Sequence, residues 1–217
     1  MKIKGILFDF DGTMANTIDL IIAAFEHTCK IVLGSVPERE QIINTFGLPL
    51  PKAMFILSGR EELVEEMRNV YREYNDKHHD EMIKPIIGMT ETLSALKAQG
   101  IKIAIVTSKK PRMLYRGIAC LGLEAYIDAV IALGDTKESK PQAEPMLAAC
   151  AKLQLAPQEC LCVGDSPFDL QSGRSAGVLT VAVRYTYFSW EKILREGKPD
   201  FVIDKPENLL ELVEKIG

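Results

Sequence analysis

Beyond Pro85 the chain alternates short apolar runs, rich in β-branched residues, with stretches of helical periodicity, and one more such run opens it. The runs occupy residues 6–8, 101–106, 126–133, 160–163, 179–183 and 201–203. Short apolar runs bounded by turn signals read as buried strands. Strands that alternate with helices call for a parallel sheet covered on both faces. Between residues 16 and 84 the alternation stops. Ile18, Ile21, Ile22, Phe25, Cys29 and Val32 recur at spacings of three and four, and Gly34 ends the stripe. A short helix follows with Pro37 in its first turn, then the loop Gly47-Leu48-Pro49-Leu50-Pro51 and a helix at 52–57. Leu63, Met67, Val70, Tyr71 and Tyr74 mark a long helix to about His79. The spacing predicts an α/β fold, a doubly wound, Rossmann-like parallel sheet built from residues 1–15 and 85–217. Residues 16–84 are predicted to be an inserted, small, all-helical domain. In the core, Thr90 is expected to cap a helix that Gly100 stops, Pro111 and Pro141 to open two more, and Pro206 to begin the last.

Ligands of open parallel sheets bind beyond the carboxyl ends of the strands. Polar clusters fall at four such ends. Asp9 and Asp11 follow the first run, and Thr107, Ser108 and Lys109 the second; Lys140 lies after the third and Asp165 after the fourth. If the first strand continues to Asp11, its period of two puts both carboxylates on one face. Two anions so close repel unless a cation or a shared proton intervenes. Three carboxylates (Asp9, Asp165 and Asp169) with a backbone carbonyl suit Mg²⁺, which prefers hard oxygen ligands. Thr107, Lys140 and the backbone N–H groups after Asp11 suit phosphate oxygens. One carboxylate can attack phosphorus and form an acyl phosphate. A second can protonate the leaving oxygen and later deprotonate water. A free aspartic acid titrates at about 3.9, so the donor needs burial or a neighbouring anion to keep its proton.

Each residue also has a plainer use. Asp165 can cap a turn, and Ser166 with Asp169 forms an S-x-x-D capping pattern that Pro167 fits. Thr107 and Ser108 suit N-caps, and Lys140 a surface position. Lys109 and Lys110 read as solvated, and His27, His78 and His79 lack metal-ligand spacing. Cys160 and Cys162 share a strand face and read as small buried apolar side chains. The net charge of −4 offers no basic face for nucleic acid. No apolar run approaches the ~20 residues that span a bilayer. Five cysteines form no regular framework, and the N-terminus lacks a signal peptide's apolar core. A cytoplasmic protein with free thiols is expected, acting as a monomer or homodimer on a small phosphorylated metabolite without nucleic acid or membrane.

F-D-F-D-G-T at residues 8–13, T-S-K at 107–109, S-K-P at 139–141 and V-G-D-S-P-F-D at 163–169 resemble, in order, the four motifs of the haloacid dehalogenase-like hydrolases. K-P-Q-A-E-P-M-L at 140–147 and the G-L-P-L-P loop are similar to the phosphoglycolate phosphatase and bacterial pyrophosphatase branch. The resemblance implies Asp9 as nucleophile and metal ligand, and Asp11 as acid/base with its carbonyl on Mg²⁺. It implies Asp165 as a further metal ligand, Gly12, Thr107, Ser108 and Lys140 as the phosphoryl-binding set, and Asp169 as a support one layer behind. It also implies that the helical block is a cap closing over the core, with residues 47–52 as the selectivity loop. The implied activity is a Mg²⁺-dependent phosphatase acting on a phosphoglycolate-like metabolite. The alternatives are an inorganic pyrophosphatase, a β-phosphoglucomutase-like sugar phosphomutase and a receiver-like signalling domain. Three positions depart from common family patterns: Asn16, Ala143 and Gly164. The last weakens the mutase reading, because sugar phosphomutases carry an acid there.

Overall fold

The computed structural model describes residues 2–216. In chain order they form β1 (Gly5–Phe8), β2 (Ala15–Asn16), α1 (Ile18–Leu33), α2 (Arg39–Ile43), α3 (Leu50–Ser58), α4 (Val64–Met82) and β3 (Lys84–Pro85). Then come α5 (Met89–Ala98), β4 (Lys102–Val106), α6 (Pro111–Cys120), β5 (Ala129–Ile131), α7 (Glu144–Leu153), β6 (Cys160–Gly164) and α8 (Pro167–Ser175). The chain closes with β7 (Leu179–Val183), α9 (Trp190–Lys192), β8 (Phe201–Ile203) and α10 (Asn208–Ile216). It divides into two compact units, one holding the residues up to Asn16 and from Lys84 onward, the other Thr17–Ile83.

The first unit is built on a six-stranded sheet of order β5-β4-β1-β6-β7-β8, and all of its pairings are parallel. From β1 the chain fills the sheet outward through β4 and β5, then returns and fills the other half from β6. The order therefore reverses between β1 and β6, whose carboxyl ends flank the crevice where such sheets take ligands. Alternation along β1 divides the core. Ile6 and Phe8 pack on one face with Leu93 of α5, Leu114 of α6 and Leu209 of α10. Leu7 packs on the other with Ala104, Cys162 and Met146 and Ala149 of α7. Helices cover both faces, so the strands read as continuous apolar runs rather than alternating ones.

In the second unit α1 buries Ile18, Ile22, Phe25 and Cys29 in a core that includes Met54 of α3 and Met67 of α4. The Phe25 and Tyr71 rings lie 4.9 Å apart at 56°. Its elements are helical, with a 3₁₀ turn at Glu61–Leu63. α1 stops at Gly34, which takes φ +75°, a left-handed conformation that favours glycine.

Several local expectations are corrected. The block from 16 to 84 is helical only inside its ends: Asn16 and Lys84 pair in a short antiparallel ribbon of β2 with β3. Pro37 precedes α2, whose N-cap is Glu38. Thr90 does not cap α5; Gly88 is the N-cap, and the Thr92 hydroxyl donates to its carbonyl at 2.7 Å. The third strand shrinks to β5, because Glu124–Tyr126 form a 3₁₀ turn. The Asp128 carboxylate also accepts the Ile103 N–H. Pro141 opens no helix. It follows a cis peptide bond in the turn that precedes α7, and Pro145 occupies the first turn of that helix instead. The last helix starts at Asn208, after Pro206.

Candidate active site

β1 ends at Phe8, so Asp9 and Asp11 are not brought together by strand alternation. The Asp9 N–H still donates to Val163 O at 2.9 Å, which holds Asp9 against the end of β6. Phe10 is fully buried, and its carbonyl accepts the N–H groups of Met14 and Ala15. That turn carries Asp11 to the rim, where it is half-buried. Gly12 closes the turn at φ +89° and donates its N–H to Ala15 O at 2.8 Å. The Gly12 amide is thus engaged inside the turn rather than offered to a phosphate. Its lack of a side chain matters more: a Cβ there would lie 2.5 Å from Asp165 Oδ2.

Asp9, Asp165 and Asp169 are all buried, and one carboxylate oxygen of each lies within 4.8 Å of the others. Lys140 serves this group. Its Nζ donates to Asp9 Oδ1 at 2.6 Å, Asp169 Oδ1 at 2.5 Å and Val106 O at 3.0 Å, so all three ammonium hydrogens are used. Asp169 Oδ2 accepts the Ser166 N–H at 3.1 Å and the Ser166 hydroxyl at 2.6 Å. The S-x-x-D pattern is therefore a true capping box at the start of α8, and Asp169 is cap and charge partner at once. Gly164 leaves room for this: a Cβ there would collide with that of Asp169. The Thr186 hydroxyl donates to Asp165 O at 2.6 Å and steadies the loop after β6.

Burial pushes the Asp9 carboxyl up to about 7, with Lys140 opposing and the Asp169 and Asp11 charges reinforcing the rise. Asp165 is also held well above the usual carboxylate range, first by burial and then by the Asp9 and Asp169 charges. Burial alone would lower the Lys140 ammonium, but the Asp169 and Asp9 carboxylates hold its pKa above the ordinary value. Fully ionised, three carboxylates against one ammonium would leave two negative charges in a buried site, which is why Asp9 and Asp165 are held toward the protonated form. A divalent cation with oxygen preference fits that donor set and that charge.

Thr107 is buried at the end of β4, and its N–H donates to Ile131 O. Its Oγ1 accepts the Lys109 N–H at 3.2 Å, so its hydroxyl hydrogen can serve another acceptor. Ser108 is exposed beside it. Thr107, Ser108, Ser139 and Lys140 line a common cleft. Lys109, expected to be solvated, is instead a member of the site: its Nζ donates to Asp11 Oδ1 at 2.7 Å. The structure thus gathers Asp9, Thr107, Lys140, Asp165 and Asp169 around one crevice, with Asp11 and Gly12 on the turn beside it. Asp11 contributes its carboxylate to Lys109 and is absent from the three-carboxylate group. Cys160 and Cys162 are buried in the apolar core, as expected.

The chain belongs to the haloacid dehalogenase-like hydrolases, whose family model matches residues 6–183. Among its relatives, a Clostridium perfringens protein called "Putative pyrophosphatase PpaX" is 44% identical over 215 residues, covering 99% of both chains. A Bacillus mycoides protein called "Pyrophosphatase PpaX" is 37% identical over 217 residues, covering all of both. The fold is also that of a "Putative haloacid dehalogenase-like hydrolase" from Bacteroides fragilis, with TM-score 0.87 and 26% identity over 96% of this chain and all of that one. Among the described residues no helix is long and apolar enough to cross a membrane.

Proposed function

We propose that this chain is a Mg²⁺-dependent phosphatase that transfers a phosphoryl group from a small phosphorylated compound to Asp9 and then to water. The observation that carries the reading is the buried group of Asp9, Asp165 and Asp169 around Lys140 at the switch point of a parallel sheet. Asp9 and Asp165, with the Asp11 carbonyl, would hold the metal. Bound there, the ion would neutralise phosphoryl oxygens and keep the Asp9 carboxylate ionised. Thr107 donates its hydroxyl to a phosphoryl oxygen, and Lys140 orients Asp9 while adding positive charge. An Asp9 oxygen attacks phosphorus and the bond to the leaving oxygen breaks. Asp11 gives that oxygen a proton, then removes one from the water that attacks the aspartyl-phosphate. Phosphate leaves and the Asp9 carboxylate is regenerated.

Inorganic pyrophosphate heads the substrate list, because the 44% and 37% identical relatives carry pyrophosphatase names. A phosphoglycolate-like monoester is the second reading, on the strength of the K-P-Q-A-E-P-M-L and G-L-P-L-P segments. Phosphate release from pyrophosphate, phosphoglycolate and a panel of sugar phosphates, with and without Mg²⁺, separates the two. The same panel exposes a mutase by isomerised sugar phosphate. Asp9→Asn should keep the fold and abolish turnover in every case; full activity in that variant would overturn the proposal.

A further inference from the structure

We infer that Lys109 is the positioning residue for Asp11, holding its carboxylate where it exchanges the proton of the leaving oxygen. The inference rests on the phosphatase reading above and adds a residue to it. The site contains two ammonium groups with separate duties. Lys140 is committed to Asp9, Asp169 and Val106 O. Lys109 meets Asp11 Oδ1 at 2.7 Å, and the two side chains are only 12% and 22% exposed. A lysine that was merely solvated would have no reason to lie there. Its backbone is fixed on both sides: its N–H donates to Thr107 Oγ1, and its carbonyl accepts the Leu133 N–H at 3.0 Å. The ammonium also stands 5.7 Å from the centroid of the buried Phe10 ring, a cation–π arrangement that further restricts it.

Asp11 itself sits on a turn, not on a strand, so the backbone alone does not fix its carboxylate. No other ion pair to Asp11 occurs among the described residues. A general acid must stand within hydrogen-bond reach of the atom it protonates, and small displacements cost heavily. Lys109 supplies the anchor that the turn lacks. The sheet explains how: β1 and β4 pair in parallel with Phe8 opposite Ile105, so the residues just beyond both strands meet.

The test compares wild type, Lys109→Met and Lys109→Arg on phosphate monoesters of graded leaving group, from dinitrophenyl through phenyl to alkyl phosphate, and on pyrophosphate. A good leaving group departs without a proton, whereas an alkoxide needs one. Lys109→Met should lower kcat/KM, which reports phosphoryl transfer to Asp9, by about 10–100-fold on the alkyl ester, a part of the 10²–10⁴ that general acid catalysis supplies. It should change kcat/KM on the dinitrophenyl ester less than about threefold, while hydrolysis of the aspartyl-phosphate, which also uses Asp11, slows alike for every ester. Lys109→Arg should recover most of the loss. In an Asp11→Asn background Lys109→Met should cost nothing further, since the group it positions is gone. An equal loss of kcat/KM on every ester, or a change in KM alone, would make Lys109 a phosphate-binding residue and overturn the inference. So would a Lys109→Met enzyme indistinguishable from wild type. If Lys109→Met fails to fold, the Lys109→Arg and Lys109→Gln leaving-group slopes decide by the same criteria. Failure of the underlying reading looks different: full turnover by Asp9→Asn removes the aspartyl-phosphate, and this inference with it.

Discussion

Replacing Lys140 by Met keeps most of the stem's volume and removes one charge from the centre of the site. Three hydrogen bonds disappear, those to Asp9, Asp169 and Val106 O. The side chain is 6% exposed, and those of its carboxylate partners 9% and 2%, so solvent does not replace what is lost. Removing one partner of a buried pair costs about 3–5 kcal/mol. At about 2–4 °C per kcal/mol for a chain of this size, the melting temperature should fall by roughly 6–20 °C near neutral pH. The pH dependence has a definite sign. Lys140 lowers the Asp9 pKa in the native protein, so its removal raises that pKa beyond about 7. The native variant then holds more protons than the unfolded chain from the ordinary carboxylate value upward. Stability therefore falls as pH rises through that window, and the deficit against wild type should be smaller at pH 5 than at pH 8. Thermal unfolding of both proteins without metal at the two pH values measures this. A variant within about 2 °C of wild type at pH 8, or a deficit that grows on acidification, would refute the picture of one ammonium balancing buried carboxylates.

Gly12→Ala forces a side chain onto a residue at φ +89° and sets its Cβ 2.5 Å from Asp165 Oδ2. It should cost about 1–3 kcal/mol of stability and weaken Mg²⁺ binding by displacing Asp165, as read by calorimetric titration; unchanged affinity would contradict this geometry. Mg²⁺ should stabilise the wild-type chain more at pH 8 than at pH 5, because protons compete for Asp9 and Asp165, both of which titrate above the ordinary carboxylate range. Melting curves with and without MgCl₂ check it. Thr107→Val removes a hydroxyl, and with it the acceptor of the Lys109 N–H, but not the backbone bond to Ile131 O. It should reduce kcat/KM by about 10–100-fold, the equivalent of one hydrogen bond to a charged group at about 1.5–3 kcal/mol, with little change in melting temperature.

Much of this arrangement was readable from residue order. β6 and β7 lie where the apolar runs at 160–163 and 179–183 placed them, since central parallel strands must be apolar on both sides. The rule that ligands gather at carboxyl ends located Asp9, Thr107, Lys140 and Asp165 together without any alignment. What escaped depends on contacts distant in sequence. Lys109 in isolation is one of 26 cations in the chain, and only the pairing of β1 with β4 sets it against Asp11. Asp169 looked like a cap or a support to the site and is both a cap and a buried charge partner, because Lys140 arrives from a loop 29 residues earlier. The strand expected to run to Asp11 stops at Phe8 because Phe10 turns into the core. Asn16 and Lys84 form a ribbon too short for any period to show. The helix starts expected at Thr90 and Pro141 fail for one reason: a residue that suits a helix start sits two or four positions from a glycine or proline that fits the turn better.

In the proposed mechanism Asp9 carries the phosphoryl group during turnover. Acid quenching during steady-state hydrolysis, borohydride reduction of the acyl phosphate and peptide mass spectrometry test it directly. The Asp9 side chain should be recovered as its reduced alcohol, only when substrate and Mg²⁺ are both present, and no other carboxylate should be converted. Active turnover with Asp9 unmodified, or with the label on Asp11, Asp165 or Asp169, would contradict it.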